Sequence, residues 1–182
     1  VLVAGFAPPG PGGLATTLRV WTAAGQAVVV TLAQLRAAPD LPGVTTVHVV
    51  ENPSVLAMAV HRFGPACPPL VCTAGWPNTA AVTLLRGLRN AGATLRYHGD
   101  FDGEGLRIAA YVMDRTGATP WRMSTADYLA AVTGHGPAPG RLTDAPWDPD
   151  LAAALAEHTV AVPEEHVALA LLDDLEQQAR YL

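Results

Sequence analysis

The chain contains no lysine, because all eleven of its basic residues are arginine. This absence excludes any mechanism that requires a catalytic lysine. Cysteine is almost as scarce: Cys67 and Cys72 are the two in the chain, and without a Cys/His cluster they cannot form a structural zinc site. We expect both to be buried and reduced, which is typical of a cytoplasmic protein.

Long apolar runs are also missing. No stretch approaches the ~20 residues that a membrane span needs, and no basic segment followed by an apolar one indicates a signal peptide. We therefore expect no membrane association. The chain begins at Val1 inside an apparent strand, so we expect it to be the C-terminal part of a longer protein.

The charge and composition describe a globular domain. Of 182 residues, 50% are hydrophobic and 15% are charged, which excludes a disordered tail. The formal net charge of −5 argues against this chain holding nucleic acid by itself, because non-specific binding depends on a basic surface. If the protein acts on DNA, another region must grip the DNA.

Strand-like and helix-like segments alternate along most of the chain. The β-rich runs are VLVAGF, AVVV, VTTVHVV, PLVCTAG and ATLRYHG, and an amphipathic helical pattern follows each of them. This alternation predicts an α/β fold, a parallel sheet with helices on both faces. After PWRM the pattern becomes mostly helical. We expect one domain over residues 1–182, with a leading segment (1–43), a core (44–123) and a helical extension (124–182).

Three carboxylates follow two of the predicted strands. Glu51 ends the run VTTVHVV, while Asp100 and Asp102 follow ATLRYHG in the turn YHGDFDGEG. If those strands are neighbours, their carboxyl ends bring the three side chains to one edge of the sheet. Such close carboxylates repel unless they are protonated or bridged by a cation, and hard oxygen ligands favour Mg²⁺ or Mn²⁺. The helix that starts near Gly103 could also orient a phosphate.

Each of these residues has a simpler structural interpretation. Asp102 could only cap the following helix, with Glu104 favoured in its first turn by the helix dipole. Glu51 could be a polar residue that leaves a strand beside the helix cap Asn52.

Five further residues also have both a functional and a structural interpretation. Glu104, Glu164 and Glu165 could be additional metal ligands, but the last two also suit the start of a helix after Pro163. His98 and Arg122 could contact phosphate, or could respectively be a packed residue and a surface arginine.

The order and spacing of these motifs resemble the Toprim domain of topoisomerases, primases and some nucleases. VHVVEN supplies its Glu and YHGDFD its Asp-x-Asp. The segments ENPSVL, LVCTAGWPNTAAVTLLRGL, GATLRYHGDFDGEGLRIA, PWRM and ADYL are similar to the C-terminal domain of JetD, the nuclease subunit of Wadjet plasmid-defence systems. That family is related to the A subunit of topoisomerase VI. The resemblance covers about Val44 to Tyr128, with weaker similarity at PEEHVALALLDDL.

This resemblance implies a Toprim-like fold in which Glu51, Asp100 and Asp102 are catalytic metal ligands. The implied activity is DNA cleavage that depends on Mg²⁺ or Mn²⁺, in an anti-plasmid defence complex. The implied partners are DNA, bound through the full-length protein, the subunits of an SMC-like complex, and a second copy of the chain. Hydrolysis by water is preferred over attack by tyrosine, because no tyrosine of this chain lies in a recognisable winged-helix segment.

Two other functions remain open. The domain could be a non-catalytic metal-binding and assembly module of an SMC-like complex, which its acidic charge favours. It could also be a phosphatase similar to the haloacid dehalogenases, whose DxDG loop DFDG resembles. Against the phosphatase stand the mid-chain position of the loop, the absence of lysine and the unused Glu51.

Overall fold

The structure, a computed structural model, describes residues 1–37 and 43–179. Within them the strands are β1 (Leu2–Ala4), β2 (Val28–Val29), β3 (Thr46–Val50), β4 (Leu70–Cys72), β5 (Thr94–Tyr97) and β6 (Thr119–Pro120). The helices are α1 (Gly13–Ala23), α2 (Leu32–Ala37), α3 (Pro53–Phe63), α4 (Thr79–Asn90), α5 (Gly103–Thr116), α6 (Thr125–Ala131), α7 (Leu151–His158) and α8 (Glu164–Ala179). The predicted α/β class with a helical C-terminal part is confirmed. The expected leading segment, 1–43, and helical extension, 124–182, each contain residues that lie outside the described ranges.

The strands form one sheet in the order β2-β1-β4-β3-β5-β6. The four strands from β4 to β6 are parallel, as predicted. The expectation of an all-parallel sheet is wrong at the other edge, where β1 runs antiparallel to both β2 and β4. The sequence could not show this, because a buried strand presents the same apolar run in either direction.

The apolar residues pack on both faces of the sheet. On one face, Val47 and Val49 of β3 join the larger core cluster together with Leu85 of α4 and Leu106 of α5. On the other face, Val50 packs in a second cluster that includes residues of α3 and α8. Within the described residues, apolar packing therefore covers both faces of the sheet.

Cys67 and Cys72 are both free and buried, as predicted. In the described part of the chain, no helix combines the length and the apolar character needed to cross a membrane.

The helical C-terminal part is fastened to the sheet near the end of β5. Phe101 and Val162 form an isolated antiparallel bridge, with N–H to carbonyl distances of 3.0 and 3.1 Å. Further along α8, Arg62 of α3 pairs with Asp173 at 2.7 Å. This attachment brings the first residues of α8 to the edge of the sheet where the predicted carboxylates lie.

Candidate metal centre

The predicted carboxylates follow neighbouring strands. β3 and β5 pair in parallel, with Val49 opposite Tyr97, so both strands end at the same edge. Glu51 comes directly after β3, and Asp100 and Asp102 lie three and five residues after the end of β5. The adjacency on which the sequence argument depended is therefore present.

Glu51 is held in a buried position, with 9% of its surface exposed. The hydroxyl of Tyr97 donates a hydrogen bond to Glu51 Oε2 at 3.3 Å. Gly99 passes so close that a Cβ atom there would lie 2.7 Å from the same oxygen, so a larger residue would displace the carboxylate. Burial, followed by the charge of Asp100 and a smaller effect of Asp102, raises the pKa of Glu51 to about 7.

The acidic turn positions its two aspartates differently. Asp102 caps α5, because its Oδ1 accepts the N–H of Gly105 at 2.7 Å. Asp100 Oδ1 instead accepts the N–H of Glu164 at 2.7 Å. Burial raises the pKa of Asp100, and the charges of Asp102 and Glu165 act in the same direction. The capping interpretation of Asp102 is thus correct, and the second oxygen of each aspartate has no hydrogen bond within the described residues.

The donor chemistry of these three residues fits a hard divalent cation. Carboxylate oxygens are the ligands that Mg²⁺ and Mn²⁺ prefer. Burial is the main cause of the raised pKa of Glu51, and a cation would relieve the smaller contribution from the charges of Asp100 and Asp102. In residues 1–37 and 43–179, however, no three His, Cys, Asp or Glu side chains are arranged as a group that could hold a metal ion. Binding would require Glu51, Asp100 and Asp102 to turn toward a common point.

Glu164 stabilises the end of β3 from a buried position. It is fully buried, and its two oxygens accept the N–H groups of Glu51 and Asn52 at 3.2 and 2.6 Å. Burial raises the pKa of Glu164 well above its ordinary value. In the structure both oxygens of Glu164 bind the end of β3, and its role as a metal ligand remains a prediction. The exposed Glu165 contacts Asn52 Nδ2 at 2.6 Å.

Replacing Glu164 by alanine is expected to lower the free energy of unfolding by about 1–3 kcal/mol, because two backbone N–H groups lose their acceptor in a buried place. Alanine removes both acceptors whatever the protonation state of Glu164. Urea unfolding at pH 7 measures the change. Glu165→Ala is the matched control and should stay within about 0.5 kcal/mol of the wild type. Equal unfolding curves for the two variants would contradict the supporting role of Glu164.

Glu104, predicted as a further ligand, is exposed and already engaged. Its carboxylate accepts hydrogen bonds from the guanidinium of Arg107 and from the indole N–H of Trp76. These contacts, with that of Arg107 the larger, hold the pKa of Glu104 below its ordinary value. A metal ion would have to compete with both of them.

At the start of α5, the N–H groups of Gly103 and Gly105 already have partners within the chain. Gly103 donates to the carbonyl of Pro139 at 2.7 Å, and Gly105 donates to Asp102. A Cβ atom at Gly103 would lie 2.0 Å from the carbonyl oxygen of Arg141, so a loop from the C-terminal part covers this turn. The sequence could not reveal that loop, because it packs from about 40 residues away.

The two predicted phosphate contacts have other partners. His98 is 1% exposed, and its Nδ1 lies 2.9 Å from the carbonyl of Trp121. Burial lowers the pKa of His98 to about 4, so the ring is neutral at pH 7. Arg122 is partly exposed and pairs with Asp174 at 3.0 Å. Contact of either residue with phosphate remains a prediction.

The comparisons with known proteins identify one family. Residues 28–175 match the family model described as "Protein of unknown function C-terminus (DUF2399)". The match includes Glu51, Asp100 and Asp102 and most of the described sheet. No curated protein matches the chain.

Proposed function

The chain belongs to the DUF2399 family, and from this premise and its carboxylates we propose that it is the metal-dependent catalytic part of a DNA-cleaving protein. One observation carries the proposal: Glu51, Asp100 and Asp102 follow adjacent parallel strands, close enough that the charges of both aspartates add to the effect of burial in raising the pKa of Glu51. The resemblance of VHVVEN and YHGDFD to the Toprim motifs supports the same conclusion.

In this proposal Glu51, Asp100 and Asp102 hold Mg²⁺ or Mn²⁺. The bound ion would supply Lewis-acid polarisation of the scissile phosphate and stabilisation of the leaving oxygen. The chain itself orients the ligands: Tyr97 fixes one oxygen of Glu51, and Glu164 fixes the backbone at the end of β3. Without the ion the pKa of Glu51 is about 7, and binding of the ion would require its ionised form.

The finer proposal follows the resemblance to the nuclease subunits of Wadjet systems. The protein acts in the cytoplasm within an SMC-like anti-plasmid complex, and other parts of the full-length protein grip the DNA. Because a double-strand cut needs two active sites, two copies of the chain act together. The net charge of −5 agrees with a need for additional DNA-binding surface.

The test uses supercoiled plasmid as substrate for the full-length protein, with Mg²⁺ or Mn²⁺. Nicked or linear plasmid is the expected product, and EDTA should prevent its formation. A chromogenic phosphate monoester serves as the control and should remain intact. Hydrolysis of the monoester, with the plasmid unchanged, would instead support the phosphatase.

A further inference from the structure

Trp76 is an exposed aromatic residue beside the carboxylates. It lies in the loop after β4, with 49% of its surface exposed. The preceding residue, Gly75, donates its N–H to the carbonyl of Glu51 at 3.3 Å, and the indole N–H of Trp76 donates to Glu104. The ring is therefore fixed between the end of β3 and the start of α5.

A continuous line of contacts leads away from Trp76 along α4 and α5. The ring of Tyr111 lies 5.5 Å from that of Trp76, measured between centroids. The guanidinium carbon of Arg115 lies 5.6 Å from the Tyr111 centroid, and Arg86 Nε donates to the carbonyl of Arg115 at 2.7 Å. We call these four residues, Trp76, Tyr111, Arg115 and Arg86, the α4–α5 strip.

The two arginines of the strip are exposed, and within the described residues no carboxylate forms a salt bridge with either. In the described part of the chain, salt bridges engage Arg62, Arg107 and Arg122, but neither Arg86 nor Arg115. The negative net charge of the chain therefore does not prevent a local positive surface. Arginines spaced along a surface with exposed aromatic rings are typical of grooves that hold a single strand of nucleic acid.

We propose that the α4–α5 strip binds the DNA strand that enters the carboxylate site. Trp76 stacks on a base next to the cut, and Arg86 and Arg115 contact phosphates further along the strand. Stacking requires a base that has left the duplex, so the strip favours single-stranded or gapped DNA over continuous duplex. This inference rests on the proposed function, because DNA is chosen as the ligand from the position of the strip beside the carboxylates.

The test measures the binding of a fluorescein-labelled single strand, and of the matching duplex, by anisotropy. The full-length protein carries Glu51→Gln in every case, so that cleavage does not interfere. Trp76→Ala is expected to raise the Kd for the single strand about tenfold, while Trp76→Phe stays within about threefold because the ring is kept. Trp21→Ala removes a comparably exposed tryptophan, 42% exposed on α1, and should have no effect.

The arginines are tested by the salt dependence of the same binding. The double variant Arg86→Ala/Arg115→Ala should reduce the slope of log K against log salt by about 1.4, which corresponds to two lost phosphate contacts on a single strand. An unchanged slope would overturn the phosphate role of these residues.

The outcomes separate this inference from the proposed function. Plasmid cleavage by the wild type, with equal DNA binding by Trp76→Ala and Trp21→Ala, would overturn the strip alone. No plasmid cleavage, with weaker binding by Trp76→Ala, would overturn the nuclease and support the strip as a DNA-binding surface. Absence of any DNA binding by the full-length protein would overturn the strip.

Discussion

Glu51→Gln is expected to reduce plasmid cleavage by the full-length protein at least about 100-fold. Glutamine keeps the shape of the side chain but removes the negative charge that holds a cation. Removing a group that hydrogen-bonds to a metal ligand lowers metal affinity or activity about 10–100-fold. Removing a ligand itself should lower activity at least as much. Asp100→Asn should give a similar loss. Initial rates of nicking at saturating Mg²⁺, and separately with Mn²⁺, measure both effects.

The matched control for this prediction is Glu157→Gln, because Glu157 lies exposed on α7, which is remote in sequence from both strand ends. It makes the same chemical change and should leave the cleavage rate unaltered. Equal cleavage by the wild type and Glu51→Gln would remove Glu51 from the site. Inactivity of the wild-type protein would favour the assembly module, in which the carboxylates bind a metal but cut nothing.

The same Glu51→Gln substitution is expected to stabilise the fold. In EDTA at pH 8 the free energy of unfolding should rise by about 3 kcal/mol relative to the wild type. The cause is the difference between the ordinary pKa of 4.5 and the value of about 7 in the folded protein, at 1.36 kcal/mol per pKa unit. Ionised Glu51 is buried near Asp100, whereas glutamine carries no charge into that environment.

The effect of Glu51→Gln on the free energy of unfolding depends on pH. Because folding raises the pKa of Glu51, the stability that its neutral form provides is complete below pH 4.5 and is lost as the pH rises through 7. Glu51→Gln should therefore match the wild type at pH 4.5 and exceed it at pH 8. Urea unfolding at both pH values measures the difference, with Glu157→Gln as the control for net charge. A loss of stability at pH 8 would contradict the buried, repelled state of Glu51.

Adding Mg²⁺ should reduce the difference in the free energy of unfolding between Glu51→Gln and the wild type. A cation that binds the folded wild type stabilises it by mass action, and Glu51→Gln should gain less from the same concentration. Glu51 would then lower stability when no ion is bound and be needed when the ion is bound. Such a trade-off between stability and activity is common at functional sites.

The sequence predicted that the carboxylates follow two strands, and it made their meeting at one edge depend on those strands being neighbours. The structure shows that β3 and β5, which precede Glu51 and Asp100, pair in parallel and therefore end at one edge of the sheet. The cap at Asp102 was also predictable, since an aspartate before a helical pattern is favoured there.

The supporting residues depend on long-range contacts that no local pattern encodes. Glu164 reaches Glu51 across 113 positions of the chain, and the Asp100–Glu164 contact spans 64. Only the start of a helix was evident from the sequence around Glu164. Trp76 could have been noticed by the same rule as Glu51, because it also follows a core strand. The direction of β1 could not be predicted, since apolar runs do not record strand polarity.

We propose that Glu51, Asp100 and Asp102 converge on one divalent cation. The most direct measurement is a crystal structure of the protein soaked in Mn²⁺, with anomalous scattering used to locate the ion. We expect an anomalous peak with one oxygen of each of the three carboxylates at about 2.0–2.3 Å. A fully occupied Mn²⁺ elsewhere, with Glu51 still bonded to Tyr97 and not to the ion, would contradict this arrangement.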